Sequence, residues 1–380
     1  MTIIAAPDSF KGNMSADEAC AAIKEGILRA DANATVHTIP LADGGEGTAR
    51  VIAHNAGGHF VKAAVTGPLG DTVEAEFALI HGGRVAVLDM ASASGITLVG
   101  RDKLNPMKAT SYGTGELIAA AMDSGAQEII IGIGGSATND GGIGMISALG
   151  FKVLDGQGQP VGRGGAGLSK IAAVDASGAD SSINNISFKV ACDVTNPLLG
   201  PSGASAVFGP QKGATPQMAL LLEEGLSKLA QAWIRAGMAS DVEQPGDGAA
   251  GGVGAALRIC LGAKTESGAM LVMRHAGFFE RLHEADLVIT GEGRTDSQTA
   301  GGKLCSVVAR EGRRAGVPVA LLSGALGGDI GELLSMFDYA ASIACGETSL
   351  DAMMANAKRN LAFSAENLIR WHKIYPAAMR

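Results

Sequence analysis

The residues of this chain that could do chemistry gather in glycine-rich loops, and the clearest of these is GIGGSATND at residues 132–140. An isoleucine run at residues 129–131 precedes it and predicts a buried strand, while residues 143–149 predict a helix. A strand, a glycine turn and a helix N-terminus together form an anion site, because unpaired backbone N–H groups point outward. We therefore expect an anionic ligand at this loop.

The same loop has a second interpretation, as a nicotinamide-dinucleotide fingerprint. The pattern G-x-G-x-x-A runs from Gly132 to Ala137, and a strand at residues 151–154 would follow it. Asp155 then lies near the position of a ribose-binding acid. Asp140 opposes this interpretation, because it would place a negative charge beside the pyrophosphate, and the helix of about 10 residues is short for a crossover. The alternative is an NAD-dependent oxidoreductase of a small hydroxy acid.

Acidic residues recur in loops that follow predicted strands, with basic residues nearby. The acids are Asp8, Asp43, Glu46, Asp140, Asp193, Glu292 and Asp296, and the bases are Lys11, Lys212, Arg294 and Lys303. Each acid alone would be a turn or cap residue. Together they predict a cleft that binds an anion and a metal, because carboxylates bind hard cations while lysine and arginine bind phosphate. These are the components of phosphoryl transfer.

The composition argues against several other classes of protein. A net charge of −8 without a basic run argues against a nucleic-acid partner, and no apolar run reaches the roughly 18 residues of a membrane span. The N-terminus lacks the basic region of a signal peptide. The five cysteines show no paired spacing, which favours a cytoplasmic location over a disulfide framework or a zinc site. Neither a Walker loop nor a G-x-S-x-G motif is present.

The order of predicted elements indicates two α/β domains. Both ends of the chain alternate strands with helices, which predicts a parallel sheet. Its strands are expected at residues 2–6, 36–39, 286–290, 317–322 and 339–344. Three strand-like runs joined by Gly/Pro turns, at residues 61–66, 72–80 and 84–90, predict a mixed sheet. We predict a discontinuous Rossmann-like domain at residues 1–66 plus 286–380, with a second, mixed-sheet α/β domain inserted at residues 67–285.

Seven motifs distributed over nearly the whole chain resemble those of bacterial class I glycerate kinases, of the glycerate 2-kinase type. They are APDSFK (6–11), ADGGEGT (42–48), IGIGGSATNDGG (131–142), ACDVTNPL (191–198), FGPQKGAT (208–215), GAAGGVGAAL (248–257) and ITGEGRTDSQTAGGK (289–303). The resemblance implies phosphorylation of D-glycerate to 2-phosphoglycerate, dependent on ATP and Mg²⁺, by a domain with a second domain inserted. Gly12 and Asp247 depart from the family pattern, so Asp247 receives no catalytic role.

We infer individual roles from chemistry and from this resemblance, with the substrates in a cleft between the two domains. Asp193 is our choice for the general base, with Asp296 second, and Lys11 completes the catalytic candidates. The substrate-binding candidates are Asp8, Ser9, Asp43 and Arg294. The candidates for the nucleotide phosphates are Gly134, Gly135, Ser136, Asn139 and Lys212, and those for Mg²⁺ are Asp140 and Glu292. A non-catalytic binding protein with two lobes also fits the architecture, but it leaves the charged loops unexplained.

Overall fold

The computed structural model describes residues 1–42, 47–296, 304–327, 331, 335–346 and 349–374. The chain divides into two compact units. Unit 1 comprises Met1–Asp43 and Ala269–Arg380, and unit 2 comprises Gly44–Gly268. No helix within the described residues combines the length and the hydropathy that a bilayer span requires.

The strands of the described chain form one parallel sheet in unit 1 and two further sheets in unit 2. In chain order they are β1 (Thr2–Ala5), β2 (Thr35–Thr38), β3 (His59–Thr66), β4 (Thr72–Ile80), β5 (Val85–Asp89), β6 (Glu128–Gly132), β7 (Lys152–Asp155), β8 (Ile171–Asp175), β9 (Ser187–Ala191), β10 (Lys264–Glu266), β11 (Leu287–Glu292), β12 (Val319–Ser323) and β13 (Tyr339–Ser342).

Helices connect many of the strands along the chain. They are α1 (Ala16–Ala30), α2 (Thr48–Ala56), α3 (Ala91–Ser94), α4 (Tyr112–Asp123), α5 (Ile143–Ala148), α6 (Ala204–Phe208), α7 (Pro216–Arg235), α8 (Val253–Leu261), α9 (Gly268–His275), α10 (Phe278–Leu282), α11 (Leu304–Ala315), α12 (Leu350–Ala355) and α13 (Ala357–Ile374). The first of them begins at a capping box, in which Ser15 and Glu18 each accept from the other's backbone N–H.

Unit 1 is built on a five-stranded parallel sheet with the order β13-β12-β11-β1-β2. Helices α1 and α13 pack against each other and share one apolar core with the central strands. The chain runs from β1 toward one edge of the sheet and from β11 toward the other. Strands β1 and β11 therefore flank the point where the strand order reverses, and in open α/β sheets ligands bind at the carboxyl ends of such strands.

Unit 2 contains a six-stranded mixed sheet with the order β10-β9-β6-β5-β4-β3. Strands β3, β4 and β5 pair antiparallel, whereas β5, β6, β9 and β10 pair parallel. The predicted fold class, a parallel-sheet α/β domain accompanied by a mixed-sheet α/β domain, is thus confirmed.

The units have limits different from those predicted near Gly67 and Ala285. Strand β3 pairs with β4 along its full length, and helix α2 packs on β4 and β5, so both elements belong to the mixed sheet. The run at residues 61–66 was expected in the mixed sheet, but the boundary predicted near Gly67 left it and helix α2 in the first domain. The chain passes between the two units at 43/44 and 268/269. These positions follow from pairing between distant strands, which local sequence patterns do not reveal.

Strand β7 contradicts the nicotinamide-dinucleotide interpretation of the glycine loop. It pairs antiparallel with β8 in a separate two-stranded sheet, whereas β6 has β5 and β9 as its neighbours. A dinucleotide-binding βαβ unit needs its second strand parallel to the first in the same sheet. Helix α5 does not provide that crossover connection, and its shortness in the sequence had already argued against one.

Candidate active site

A charged cavity of about 360 Å³ lies in unit 1 at the carboxyl ends of β1, β11 and β12. It brings together six residues that the sequence analysis selected, namely Asp8, Ser9, Lys11, Glu292, Arg294 and Asp296. These residues come from two loops separated by more than half of the chain, and parallel pairing of β1 with β11 places the two loops side by side. The cavity thus occupies the reversal point of the sheet, where the fold favours a ligand.

In the first loop Asp8 is buried near the sheet, whereas Lys11 is exposed to solvent. Asp8 is buried, and its Oδ1 accepts from the backbone N–H of Ser9 at 2.6 Å. Lys11 is exposed and is followed by Gly12, whose φ of 75° lies in the left-handed region that glycine adopts without strain. Lys11 and Asp8 thus both line the cavity from one loop, with Lys11 at its exposed part.

The second loop is held in place by a buried hydroxyl. Thr295 is fully buried, and its Oγ1 lies 3.0 Å from both Glu292 Oε1 and Ser323 Oγ. Strand-like pairing also continues beyond the sheet, because Thr295 N donates to Ala325 O. These contacts fix the direction of the Glu292 carboxylate at the cavity wall.

Arg294 and Asp296 form the part of the second loop that a ligand can reach. Arg294 Nε lies 3.4 Å from Asp296 Oδ2, and the arginine side chain is 69% exposed. The guanidinium group packs over Gly327, where a Cβ atom would lie 3.1 Å from Nη2. The pair lies partly at the surface, since the Asp296 side chain is 28% exposed, and an ion pair of this kind contributes little to stability.

The cavity also has an apolar wall, whose residues were not among those selected from the sequence. It is formed by Ile343, Leu350, Met353, Met354 and Ala357, and the amides of Asn13 and Asn360 lie beside it. Four of these residues, at 350, 353, 354 and 357, have the i, i+3, i+4, i+7 spacing of one helix face. That spacing was the available signal, but it equally predicts core packing. Only the position of α12 and α13 shows that this face borders a cavity.

The glycine loop of unit 2 is largely buried, and Lys212 supports it from within. Lys212 Nζ donates to Ser136 Oγ at 2.8 Å and to Thr138 O at 2.7 Å, and the lysine is 2% exposed. Burial lowers the pKa of Lys212 to about 7, against the opposing influence of the Asp140 carboxylate. Asn139 is also buried and donates to Ser205 Oγ. The polar groups of Ser136, Asn139 and Lys212, predicted to contact phosphates, thus have partners within the protein.

Gly134 and Gly135 are the accessible part of that loop. Gly135 is exposed, and within the described chain neither glycine donates a hydrogen bond from its N–H. Their backbone is nevertheless fixed, because Ile96 N donates to Gly135 O and Ala137 N donates to Ser94 O. The two N–H groups therefore remain candidates for an anionic group.

Asp140, predicted as a metal ligand, lies in a buried hydrogen-bond network. Its carboxylate is fully buried and accepts from Ser111 N at 2.8 Å, from Ser111 Oγ at 2.9 Å and from Gly142 N at 3.1 Å. Burial raises the pKa of Asp140, and the hydrogen bonds from Ser111 oppose that change. The carboxylate thus joins the start of α4 to the start of α5. Loop position alone could not reveal this, because Ser111 lies 29 residues away.

Asp193, our first choice for the base, caps a helix. Its Oδ1 accepts from the backbone N–H of Gly268, the first residue of α9, at 3.1 Å. The sequence analysis considered only a cap on the adjacent turn, whereas the partner lies 75 residues away. Asp43, predicted to bind substrate, lies outside the described residues, as do Glu46 and Lys303.

The fold and the charged cavity together define an α/β enzyme with a site for an anionic small molecule. The glycerate kinase family matches residues 3–373. The glycerate kinase of Bacillus subtilis strain 168 is 45% identical over 97% of both chains. The glycerate 2-kinase of Escherichia coli strain K12 is 43% identical over 97% of both chains.

A solved structure agrees with these relatives. The crystal structure of a glycerate kinase 2 from Salmonella typhimurium LT2 superposes with a TM-score of 0.89 at 43% identity, covering 98% of each chain. The chain belongs to the glycerate kinase family. It is therefore a transferase that phosphorylates glycerate, and the resemblance drawn from the seven motifs is confirmed.

Proposed function

We propose that the enzyme transfers the γ-phosphoryl group of ATP to the 2-hydroxyl group of D-glycerate, giving 2-phosphoglycerate and ADP. The observation that carries this proposal is the unit 1 cavity, where Lys11 and Arg294 stand beside Asp8, Glu292 and Asp296. Positioning and charge neutralisation provide most of the catalysis of phosphoryl transfer, and this set of side chains offers both. The choice of the 2-hydroxyl is supported by the name of the Escherichia coli relative.

D-glycerate offers a carboxylate and two hydroxyl groups, and the cavity has partners for each. Arg294 is the candidate for the carboxylate, because its exposed guanidinium can bind both oxygens at once. Asp8 and Ser9 are the candidates for the hydroxyl groups. Lys11 supplies a point charge for the phosphoryl group. Asp43 keeps its predicted role in substrate binding.

For the general base we propose Asp296 in place of Asp193. Asp296 lines the cavity with both cationic candidates, whereas Asp193 holds the N-terminus of α9. In the reaction the proton of the 2-hydroxyl passes to the Asp296 carboxylate as the hydroxyl oxygen bonds to the γ-phosphorus. The bond between that phosphorus and the β,γ-bridging oxygen breaks, and ADP leaves with the electron pair.

Mg²⁺ fits the donor set of this cavity. Carboxylate oxygens are its preferred protein ligands, and it is usually bound by one or two carboxylates together with substrate phosphates. Glu292 would hold it, because Thr295 fixes the direction of its carboxylate. Bound there, the ion would neutralise phosphate charge. Within the described residues no group of three or more His, Cys, Asp or Glu side chains could hold a metal alone, which agrees with a site completed by phosphates.

Two further parts of the proposal rest on the sequence. We expect the reaction to occur in a cleft between two domains, because exclusion of water keeps the phosphoryl group from hydrolysis. In that cleft the N–H groups of Gly134 and Gly135 would bind an anionic group of a substrate. The cytoplasmic location also stays a prediction, which rests on the spacing of the five cysteines in the sequence.

A coupled assay tests the proposed function directly. The purified enzyme, supplied with ATP, Mg²⁺ and D-glycerate, should release ADP, and the ³¹P NMR spectrum of the product should show a phosphate ester on the secondary hydroxyl. The same acid supplied with NAD⁺ should give no NADH absorbance. An ester on the primary hydroxyl would refute the assignment of the 2-position, and the absence of ADP release would refute ATP as the donor.

A further inference from the structure

The lining of the unit 1 cavity combines two kinds of side chain. Charged side chains come from the loops after β1 and β11, and the apolar wall consists of Ile343, Leu350, Met353, Met354 and Ala357. Part of this wall is open to solvent, since Leu350 is 69% exposed and Met354 is 37% exposed. Apolar side chains that line a cavity beside charged groups indicate a ligand with one apolar and one charged part.

Glycerate does not have an apolar part. Each of its carbon atoms carries oxygen, so contact with methionine and leucine side chains would remove water from polar groups without replacing their hydrogen bonds. The cavity volume of about 360 Å³ also falls within the range of about 300–1,000 Å³ that is usual for drug-sized ligands. The larger substrate of the proposed reaction meets both conditions, because a nucleoside triphosphate joins a flat base to a highly charged chain.

We propose that the apolar wall binds the adenine ring of ATP, with the triphosphate chain directed to Lys11 and Arg294. This inference rests on the proposed function, which makes ATP the donor. Methionine side chains suit the faces of aromatic rings, because the thioether is polarizable and the chain adapts its shape. The arrangement places the base, the phosphates and the metal-binding acid Glu292 within one unit.

Two amides beside the wall are suited to the edge of the base. Asn13 Nδ2 donates to Met354 O at 2.5 Å, which fixes the amide and leaves Oδ1 able to accept from an amino group. The side chain of Asn360 makes no hydrogen bond to the described residues, and it is only partly buried. An amide offers one acceptor and two donors, which is the pattern needed to pair with the edge of adenine.

The buried Lys212 of unit 2 is less suited to the nucleotide phosphates than the cations of unit 1 are. Lys212 Nζ donates to Ser136 and Thr138, so its ammonium group is held inside the loop and does not contact a ligand at the surface. In unit 1 the cations remain accessible, with Lys11 exposed and Arg294 69% exposed. Triphosphate binding by accessible cations avoids the cost of removing a buried lysine from its partners.

Substitution of Leu350 provides the test. Because the Leu350 side chain is exposed, its replacement should not prevent the protein from folding. Titration calorimetry would measure binding of ADP and of inorganic tripolyphosphate, which lacks a base, to the full-length protein. We expect Leu350→Asp to weaken ADP binding by about tenfold to a hundredfold, as loss of one buried apolar contact predicts. Leu350→Met should restore it, and tripolyphosphate should bind both variants similarly. Leu220→Asp is the matched control, because Leu220 is a 73% exposed leucine of α7 in unit 2.

Three results would overturn the inference, and they differ in what else they refute. Unchanged ADP binding by Leu350→Asp, with wild-type protein that binds ADP, refutes the adenine site and leaves the proposed function intact. A rise in the KM for D-glycerate with an unchanged KM for ATP would assign the wall to glycerate instead. Failure of the wild-type protein to bind ADP would refute both the inference and the proposed use of ATP.

Discussion

Two buried acidic residues, Asp140 and Glu292, differ in what surrounds them. Asp140 is fully buried and joins Ser111 to the start of α5, whereas Glu292 lines the cavity. Asp140→Asn should lower the free energy of unfolding by about 1–3 kcal/mol, because buried donors lose a charged acceptor. The Mg²⁺ concentration for half-maximal activity should not change.

Glu292→Gln is the matched variant for the metal. It should raise the half-maximal Mg²⁺ concentration, because an amide oxygen binds a hard cation more weakly than a carboxylate does. Activity measured over a Mg²⁺ titration, alongside thermal unfolding, separates the two residues. A raised Mg²⁺ requirement in Asp140→Asn without loss of stability would restore Asp140 as a ligand.

The buried ammonium group of Lys212 makes stability depend on pH. Burial lowers its pKa from 10.5 to about 7, so between these values the unfolded chain binds more protons than the folded chain. The contribution of Lys212 to the free energy of unfolding therefore rises with pH across this window, by up to about 1.4 kcal/mol per pH unit. Lys212→Met should remove this slope when urea unfolding is compared at about pH 7 and about pH 9.

Lys228→Met is the control for that measurement, because Lys228 on α7 is 39% exposed and pairs with Glu224 at the surface. Its pH dependence should match that of the wild-type protein. If Lys212→Met keeps the full wild-type slope, the low pKa of the buried lysine is wrong.

At the residue scale, the sequence could predict which acids and bases meet in unit 1. Asp8 and Glu292 both follow strands of a parallel sheet, and the ends of such strands share an edge. The buried roles of Asp140 and Lys212 were not predictable in this way. Both depend on partners far along the chain, such as Ser111 and Thr138, and identical residue types at an exposed loop would bind a ligand.

At the element scale, close packing of α1 against α13 supports the apolar wall of the cavity. A Cβ atom added at Gly26 of α1 would overlap the carbonyl oxygen of Ala362 and lie 2.9 Å from Ala365 Cβ. Gly26→Ala should gain about 1 kcal/mol of helix propensity but lose more through overpacking against backbone. We expect a net loss of about 1–2 kcal/mol in the free energy of unfolding.

Lys24→Ala, on the exposed face of the same helix, should leave stability within about 0.5 kcal/mol of the wild type. Chemical denaturation of both variants checks the pair. A stabilised Gly26→Ala would mean that α1 and α13 can separate without cost, which contradicts the close packing described above.

Most elements were predictable from periodicity and caps. A local side-chain contact accompanies the division of residues 350–374 into α12 and α13 at Asn356. There the side-chain Nδ2 of Asn356 donates to Ala352 O, an example of an asparagine competing with the helical backbone. The expected strand at residues 151–154 is present, yet it pairs with β8 rather than beside β6, because the pairing partner is not encoded locally.

At the scale of the whole molecule, the sequence predicted a parallel sheet assembled from both ends of the chain and a mixed sheet from its middle. The chain passes between the two units at 43/44 and 268/269 rather than near Gly67 and Ala285, and β3 pairs with β4 in the mixed sheet. The sequence motifs identified the function, whereas the predicted strands and helices identified the fold class. Two of the motifs, at residues 6–11 and 289–303, contribute side chains to the unit 1 cavity, among them Asp8 and Asp296.

The central claim is that phosphoryl transfer to D-glycerate takes place at the unit 1 cavity with Asp296 as the base. Asp296→Asn keeps the shape of the side chain but removes the proton acceptor, and loss of a general base typically costs about 10²–10⁴-fold in rate. The matched control is Asp193→Asn, which retains an oxygen that can accept from Gly268 N.

The decisive measurement is therefore the kcat of these two variants for ADP release with saturating D-glycerate and Mg-ATP. We predict that Asp296→Asn loses about 10²–10⁴-fold in kcat with a smaller change in KM, while Asp193→Asn stays within a few-fold of the wild type. The reverse result, an active Asp296→Asn and an inactive, folded Asp193→Asn, would contradict the account and return the catalytic base to unit 2.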